Sequence, residues 1–178
     1  MEVLMKSFLI AGASALLLVA TAITAPAQDK PTDPQIAHIA YSARVIDIET
    51  AKLALSKSTN DQVKEFAQSM VVDHQAVNEQ ALALVEKLGV TPEDNATSQA
   101  LVTAADTKRA ELGKLDGSAF DTAYVENEVA YHKQVNDALE TLLIPSAQNA
   151  ELKALLETGL KLFQGHQQHA EQVAAELK

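Results

Sequence analysis

Apolar residues recur every three or four positions through most of the chain, and this spacing leaves little choice of fold. It runs through residues 36–53 and returns in segments 63–88, 120–142 and 152–177, and no stretch alternates with a period of two. Spacing of three and four is that of one face of an α-helix, whereas a half-buried strand would alternate. The sequence therefore predicts an all-α protein in which four long amphipathic helices share one core.

Residues that begin and end helices mark these segments. Asp33 is predicted to be the N-cap of the first helix, with Pro34 in its first turn, and this helix runs to about Ser56. Thr59 and Gln62 form a predicted capping box at the start of the second helix. The other predicted boundaries are Gly89 after the second helix, Ser118 and Pro145 around the third, and Ser146 before the fourth.

The connection between Gly89 and Gly117 is too long for a turn. Its apolar positions predict a shorter helix of about 17 residues, which spans roughly 26 Å and so nearly the length of the bundle. Such a crossover lets the third core helix start at the same end as the second, which is the ferritin-like arrangement. The alternative is a plain up-down-up-down bundle with an appended helix.

Ionisable residues stand on the otherwise apolar stripes, where they cost several kcal/mol unless they are paired or bound to a cation. With the crossover topology, their positions along the helices fall within roughly 9 Å of one another along the bundle axis. His166 and His169 share one helical face, as do Glu128 and His132. The predicted metal ligands are Glu49, His74, Glu128, His132, His166 and His169.

The chemistry of this set is restricted because the chain has no cysteine, so a metal must be held by His, Asp and Glu. Imidazole-rich sites suit Zn, Cu, Ni or Fe. Each residue alone also has a purely structural interpretation, since core histidines are often hydrogen-bonded packing residues. His38 lies off the stripe and is predicted to be a bystander, and Asp73 is either solvent-facing or an outer partner of the site.

The N-terminus has the order of a secretory signal peptide. Lys6 precedes an apolar stretch over 8–23, and Ala25-Pro26-Ala27 supplies an A-x-A cleavage site. An uncleaved anchor is the alternative, and the short apolar run argues against it. The predicted organisation is a cleaved leader at 1–27, a short disordered linker at 28–32 and a single helical-bundle domain at 33–178, exported to a bacterial periplasm or secreted.

The net charge of the chain restricts the classes of molecule that it is expected to bind. Fourteen Lys and Arg face 24 Asp and Glu, for a net charge of −10, which disfavours binding to nucleic acid or to an anionic membrane. No stable membrane insertion is expected after leader cleavage, and a homodimer is compatible with the sequence. Gly-rich phosphate loops and the signatures of Ser or Cys nucleophiles are absent from the sequence, so an enzyme is not the favoured hypothesis.

Three segments carry a resemblance to a known family. Phe66 to His74, Phe120 to His132 and His166 to Ala170 resemble the bacterial exported ferritin-like family named domain of unknown function 4142, and the resemblance covers roughly residues 33–177. It implies a secreted or periplasmic ferritin-like bundle and no established activity. The di-iron pattern of ferritin-like proteins needs two Glu-x-x-His motifs. This chain has none, so a nitrogen-rich site for Zn, Cu or Ni fits better.

Two functional hypotheses remain open at this point. One is an exported bundle that binds a divalent transition metal through the core His and Glu cluster, for sequestration, sensing or stress protection. The other is a non-enzymatic periplasmic structural or interaction bundle whose polar core residues form a hydrogen-bonded network without a metal.

Overall fold

The chain folds into helices that follow the predicted segments. The computed structural model describes residues 30–177, and within that range it has no strand. The predicted leader at 1–27 and the start of the predicted linker lie outside the described residues. No helix of the described part is both long and apolar enough to cross a membrane. The first four helices are α1 (Asp33–Lys57), α2 (Asp61–Leu88), α3 (Ala96–Leu112) and α4 (Gly117–Ala138). Helix α4 continues through a π-helical turn (Leu139–Leu143) into the short helix α5 (Ile144–Ser146). The last long helix is α6 (Ala150–Glu176).

The first helix begins one residue earlier than the sequence suggested. Thr32, which falls in the predicted linker, is the N-cap: its hydroxyl accepts from the Gln35 N–H, and the Gln35 side chain accepts from the Thr32 N–H. The prediction of Asp33 as the cap is wrong because this capping box satisfies two backbone groups at once. The Asp33 carboxylate instead accepts from the backbone N–H groups of Gln148 and Asn149, before α6.

The cap of α2 also differs from its prediction by one residue. Asn60, not Thr59, accepts from the backbone N–H groups of Gln62 and Val63 through its side-chain oxygen. A short amide side chain reaches both free N–H groups of the first turn, which is why asparagine is among the best N-caps. The predicted end at Gly89 is confirmed, because this residue adopts the left-handed conformation typical of a helix C-cap.

Contacts along the helices establish the topology. Gln62 and Glu176 join one pair of ends of α2 and α6, and Lys87 and Glu151 join the other, so these helices are antiparallel. The contacts between Asn136 and Gln167 and between Glu140 and Gln164 make α4 antiparallel to α6 as well. Helices α2 and α4 therefore run in the same direction.

The crossover that this requires is α3, which lies along α1. His38 contacts Ser98 near one end, and Lys57 contacts the Gly113 carbonyl near the other. Helix α3 thus carries the chain back along the bundle before α4 begins. The predicted ferritin-like four-helix bundle, with a long helical crossover between the second and third core helices, is confirmed.

The core consists of two apolar clusters with a polar layer between them. One cluster surrounds Phe66, Met70 and Phe120, and the other surrounds Ile36 and Phe163. Each core helix places ionisable residues between the stretches that it contributes to the two clusters. We call these residues the polar layer: Asp47, His74, Glu128, His132 and His166.

Two glycine substitutions test the helix boundaries. Gly89 has a φ of 63°, so Gly89→Ala should lower the free energy of unfolding by about 1 kcal/mol. Gly165 lies inside α6 with open space around it, so Gly165→Ala should raise that free energy by up to about 1 kcal/mol. Chemical denaturation of both variants measures the effects, and a shift of the same sign in both would contradict the assigned backbone.

Candidate metal centre

The polar layer is a set of five ionisable side chains held away from water. None of the five is more than 6% exposed, although apolar residues lie above and below them. Burying a charged group costs several kcal/mol unless another charge, a hydrogen bond or a metal compensates. The contacts of the layer therefore show which of these compensates for the burial of each residue.

Ligand atoms of the layer converge in two triads that share one residue. Nitrogens of His74, His132 and His166 lie within 4.8 Å of one another, and so do ligand atoms of Asp47, Glu128 and His132. These residues come from α1, α2, α4 and α6, so all four core helices meet at this point. Only the crossover topology brings α2 and α4 to it in the same direction.

Two of the imidazoles are oriented by oxygen atoms on their outer side. His132 Nδ1 is 3.0 Å from the Glu128 backbone carbonyl, and His166 Nε2 is 3.0 Å from a carboxylate oxygen of Asp73. Because both oxygens can only accept, the two nitrogens carry the protons. The opposite nitrogens, His132 Nε2 and His166 Nδ1, are buried without a hydrogen-bond partner among the described residues. Metal-binding histidines are held in the same way.

Asp47 and His74 approach each other without forming an aligned hydrogen bond. Asp47 Oδ2 is 2.6 Å from His74 Nε2 and 3.7 Å from His132 Nε2. Both carboxylate oxygens of Asp47 and both ring nitrogens of His74 nevertheless lack a hydrogen-bond partner with acceptable angles within residues 30–177. Close approach with poor alignment is expected of ligand atoms that face a common point rather than each other.

The carboxyl groups of Asp47 and Glu128 have pKa values shifted in opposite directions. Burial alone would raise the pKa of Asp47, but attraction to His74 and His132 outweighs it and lowers the pKa to about 2. Burial raises the pKa of Glu128 well above its ordinary value, and the negative charge of Asp47 raises it further. Asp47 is therefore ionised at neutral pH, whereas the surroundings of Glu128 favour its protonated form.

Burial also keeps two of the imidazoles neutral. It lowers the pKa of His132 to about 4, although the charge of Asp47 opposes this shift. Burial lowers the pKa of His166 as well, against the hydrogen bond that its Nε2–H donates to Asp73. A neutral imidazole has a free lone pair, which is the form that binds a metal.

The structure brings together four of the six predicted ligands, namely His74, Glu128, His132 and His166. The prediction that Glu49 and His169 share this layer is wrong. Glu49 is exposed and pairs with Lys52 at 2.8 Å, and His169 is half-buried with its ring against Phe66. The α6 face that points inward runs through Phe163, His166, Ala170 and Val173, which leaves His169 on the flank.

Asp47 is the member of the polar layer that the sequence analysis did not identify. The apolar spacing predicts a stripe of α1 that runs through Ile46 and includes Glu49. In the structure, Ile46 borders a cavity whose other walls include Leu101 of α3. Because α3 covers one side of α1, the buried face of α1 is broader than one stripe. Asp47 lies four residues from both Ala43 and Ala51, and that spacing was the available signal.

The positions of Asp73 and His38 agree with what the sequence analysis predicted for them. Asp73 is the outer partner of His166, which favours the second of its two predicted roles. His38 lies away from the layer, where its Nδ1 is 3.0 Å from the Ser98 hydroxyl. It is therefore a bystander to the cluster and a matched control for experiments on it.

Comparison with known proteins supports the fold. A family model described as "Domain of unknown function (DUF4142)" matches residues 18–173. The chain has no significant match among curated protein sequences. A crystal structure from Streptomyces coelicolor, described as a candidate secreted protein of DUF305, has a TM-score of 0.68 at 11% identity and covers 80% of this chain and 91% of that one. At this identity the likeness shows the helical fold alone.

Replacing Glu128 by glutamine should stabilise the metal-free protein at neutral pH. The folded chain holds a proton on Glu128 that the unfolded chain releases above its ordinary pKa of 4.5, so stability falls as the pH rises above that value. Glutamine has no proton to bind. In EDTA at about pH 7.5, Glu128→Gln should therefore raise Tm by about 3 °C or more, equivalent to about 1 kcal/mol.

The same measurement at about pH 4 is the control, because the unfolded carboxyl is then protonated as well and the advantage of glutamine disappears. Equal Tm values for the two proteins at both pH values would show instead that Glu128 is ionised in the folded chain.

Proposed function

The chain belongs to the DUF4142 family, and from its buried polar layer we propose that it is an exported protein that binds one divalent transition-metal ion. Asp47, His74, His132 and His166 supply the ligands. The observation that carries the proposal is the convergence of buried nitrogen and oxygen atoms that find no hydrogen-bond partner among the described residues. A bound dication would satisfy one nitrogen of each imidazole and an oxygen of Asp47 together.

The donor set fits Zn²⁺ best. Zinc is usually four-coordinate with nitrogen and oxygen ligands at about 2.0–2.1 Å, so neighbouring ligand atoms lie about 3.3 Å apart. The separations of 2.6 and 3.7 Å from Asp47 Oδ2 to the two nearest imidazole nitrogens bracket this distance. Three imidazoles and one carboxylate also suit copper and nickel, whereas the carboxylate-rich pattern of a di-iron site is missing.

The alternative is a polar core that needs no metal. It is supported by the outer hydrogen bonds of His132 and His166 and by the Tyr131 hydroxyl, which donates to the Ala43 carbonyl. A self-sufficient network would also satisfy the inner atoms, because each unpaired buried polar atom costs about 1–3 kcal/mol. The inner nitrogens of His132 and His166 are not satisfied in this way, so the metal-binding interpretation is preferred.

Sequestration is the role that a buried site of this kind supports. The ligands lie in the centre of the bundle and are almost completely shielded from water. The predicted leader would place such a site outside the bacterial cytoplasm, where the protein would hold the ion rather than present it to a substrate. The absence of thiol ligands from the chain makes the site insensitive to an oxidising compartment.

Metal titration of the tag-free protein tests the proposal. After EDTA treatment and dialysis, we expect about one Zn²⁺ per chain by elemental analysis, together with a higher Tm, because an ion that binds only the folded state stabilises it. His74→Ala and His166→Ala should each abolish stoichiometric binding, since each removes a ligand that no neighbour replaces. Parallel titrations with Cu²⁺, Ni²⁺ and Fe²⁺ rank the metals.

Three control variants remove similar side chains outside the layer: Glu49→Gln, His169→Gln and His38→Gln. All three should bind zinc as the unmodified protein does. Substoichiometric binding of every metal with an unchanged Tm would reject the proposal, and loss of binding in the controls would show that the ion is held elsewhere.

Removing the outer carboxylate gives a graded test of the same site. Asp73→Ala frees the ring of His166 to reorient, and loss of such outer partners typically lowers metal affinity by about 10–100-fold without changing stoichiometry. Glu79→Ala, an exposed acid on the same helix, is the matched control. Competition with a chromogenic chelator measures the affinities, and equal values for both variants would mean that His166 does not ligate the metal.

A further inference from the structure

Two cavities lie in the half of the bundle that contains the start of α1. The inner cavity, of about 130 Å³, lies between α1, α3, α4, the π-helical turn and α6. The outer cavity, of about 170 Å³, lies between α1, α2 and α6. Both are bordered by Ala40, Arg44, Leu155 and Leu156, so Arg44 stands where the two cavities adjoin.

The walls of these cavities are mainly apolar. Ile39, Leu139 and Phe163 line the inner cavity, and Leu82 and Val85 line the outer one. Both spaces are partly open to the surface, so a ligand can enter them. An apolar cavity of about 150 Å³ is large enough to bind a benzene-sized molecule. The π-helical turn forms part of the inner wall, and turns of this kind occur frequently at functional sites.

Arg44 brings a positive charge into this mainly apolar environment. It is 5% exposed, and its Nε donates to the Asn78 side-chain oxygen at 2.7 Å. No carboxylate of the described residues lies within 4 Å of its guanidinium. Burial lowers the pKa of Arg44 to about 10, with Tyr131 and Tyr41 opposing the shift, so the side chain is still a cation at neutral pH.

A buried cation without a counter-charge is costly, and a ligand can supply that charge. Guanidinium groups recognise carboxylates through two parallel hydrogen bonds. The apolar walls disfavour a small hydrated anion, because it would lose water without gaining apolar contact. They favour an anion that carries a hydrocarbon group, which gains free energy in proportion to the apolar area it buries.

We propose that Arg44 and its two adjoining cavities form a binding site for an apolar monocarboxylate of the fatty-acid class. The carboxylate pairs with the Arg44 guanidinium, and the hydrocarbon part occupies the apolar space beside it. The charged group of this site is a cation and the site needs no metal, although His74 and His132 of the polar layer also border the inner cavity. Binding of octanoate to the metal-free protein therefore tests it separately from metal binding.

Calorimetric titration of the purified, EDTA-treated protein with octanoate tests the proposal, with 1-octanol and acetate as probes that lack the charge or the hydrocarbon tail. Octanoate should bind saturably, and octanol should bind at least about tenfold more weakly, because it cannot form a charge-assisted pair with arginine. Acetate should not compete. Zinc-loaded protein should bind octanoate with the same affinity.

The variants use the only two arginines of the chain. Arg44→Met should weaken octanoate binding by about tenfold or more and leave octanol unaffected. Arg109→Met, which removes an exposed pair with Asp106, should behave as the unmodified protein. If Arg44→Met does not fold by circular dichroism, Ala40→Leu decides: it fills space at the border of both cavities and should abolish octanoate binding.

Several results would overturn the proposal. They are absence of octanoate binding at millimolar concentration, equal affinity for octanoate and octanol, competition by acetate, or octanoate binding that survives Arg44→Met or, in its place, Ala40→Leu. Octanoate binding that requires zinc would place the carboxylate on the metal instead, since His74 and His132 also border the inner cavity. That outcome would reject this site while supporting the metal centre.

Discussion

The burial of five ionisable side chains between two apolar clusters is the constraint on which the rest of this structure depends. Each core helix interrupts its apolar face at the same level of the bundle, with Asp47, His74, Glu128, His132 and His166. Well-packed apolar residues in their place would often give an equally or more stable core. The layer therefore costs stability, and the proposed binding of a cation would account for both its composition and its unpaired inner atoms.

The crossover helix makes this layer possible in two ways. Helix α3 returns the chain to the end where α2 began, so α2 and α4 run in parallel and carry His74 and His132 to one level. Helix α3 also covers one side of α1, which widens the buried face of that helix. Asp47 reaches the layer on this broader face, while Glu49 points to solvent.

The sequence predicts the architecture further than it predicts the site. Periodicity was sufficient for the all-α bundle, because each long apolar stripe marks one helix. The length of the segment after Gly89 was sufficient for the crossover and hence for the direction of the third core helix. A stripe does not report the rotation of a helix to better than about one residue. The predictions of His74 on α2 and of Glu128 and His132 on α4 are not affected by that uncertainty, because all three lie in the polar layer. On α1 the same uncertainty led to the prediction of Glu49, whereas the structure buries Asp47. The buried side of α1 is decided by contacts with α3, which is far away in sequence.

Arg44 and Asp47 show how two buried opposite charges on one helix are kept separate. Their spacing of three residues permits an ion pair along a helix, yet their charged groups do not come within 4 Å. Asp47 turns toward the imidazoles of His74 and His132, and Arg44 turns toward Asn78 and the adjoining cavities. Pairing with each other would satisfy both groups and leave neither available. Their separation leaves an anion to attract a cation in the polar layer and a cation to attract an anion one turn away.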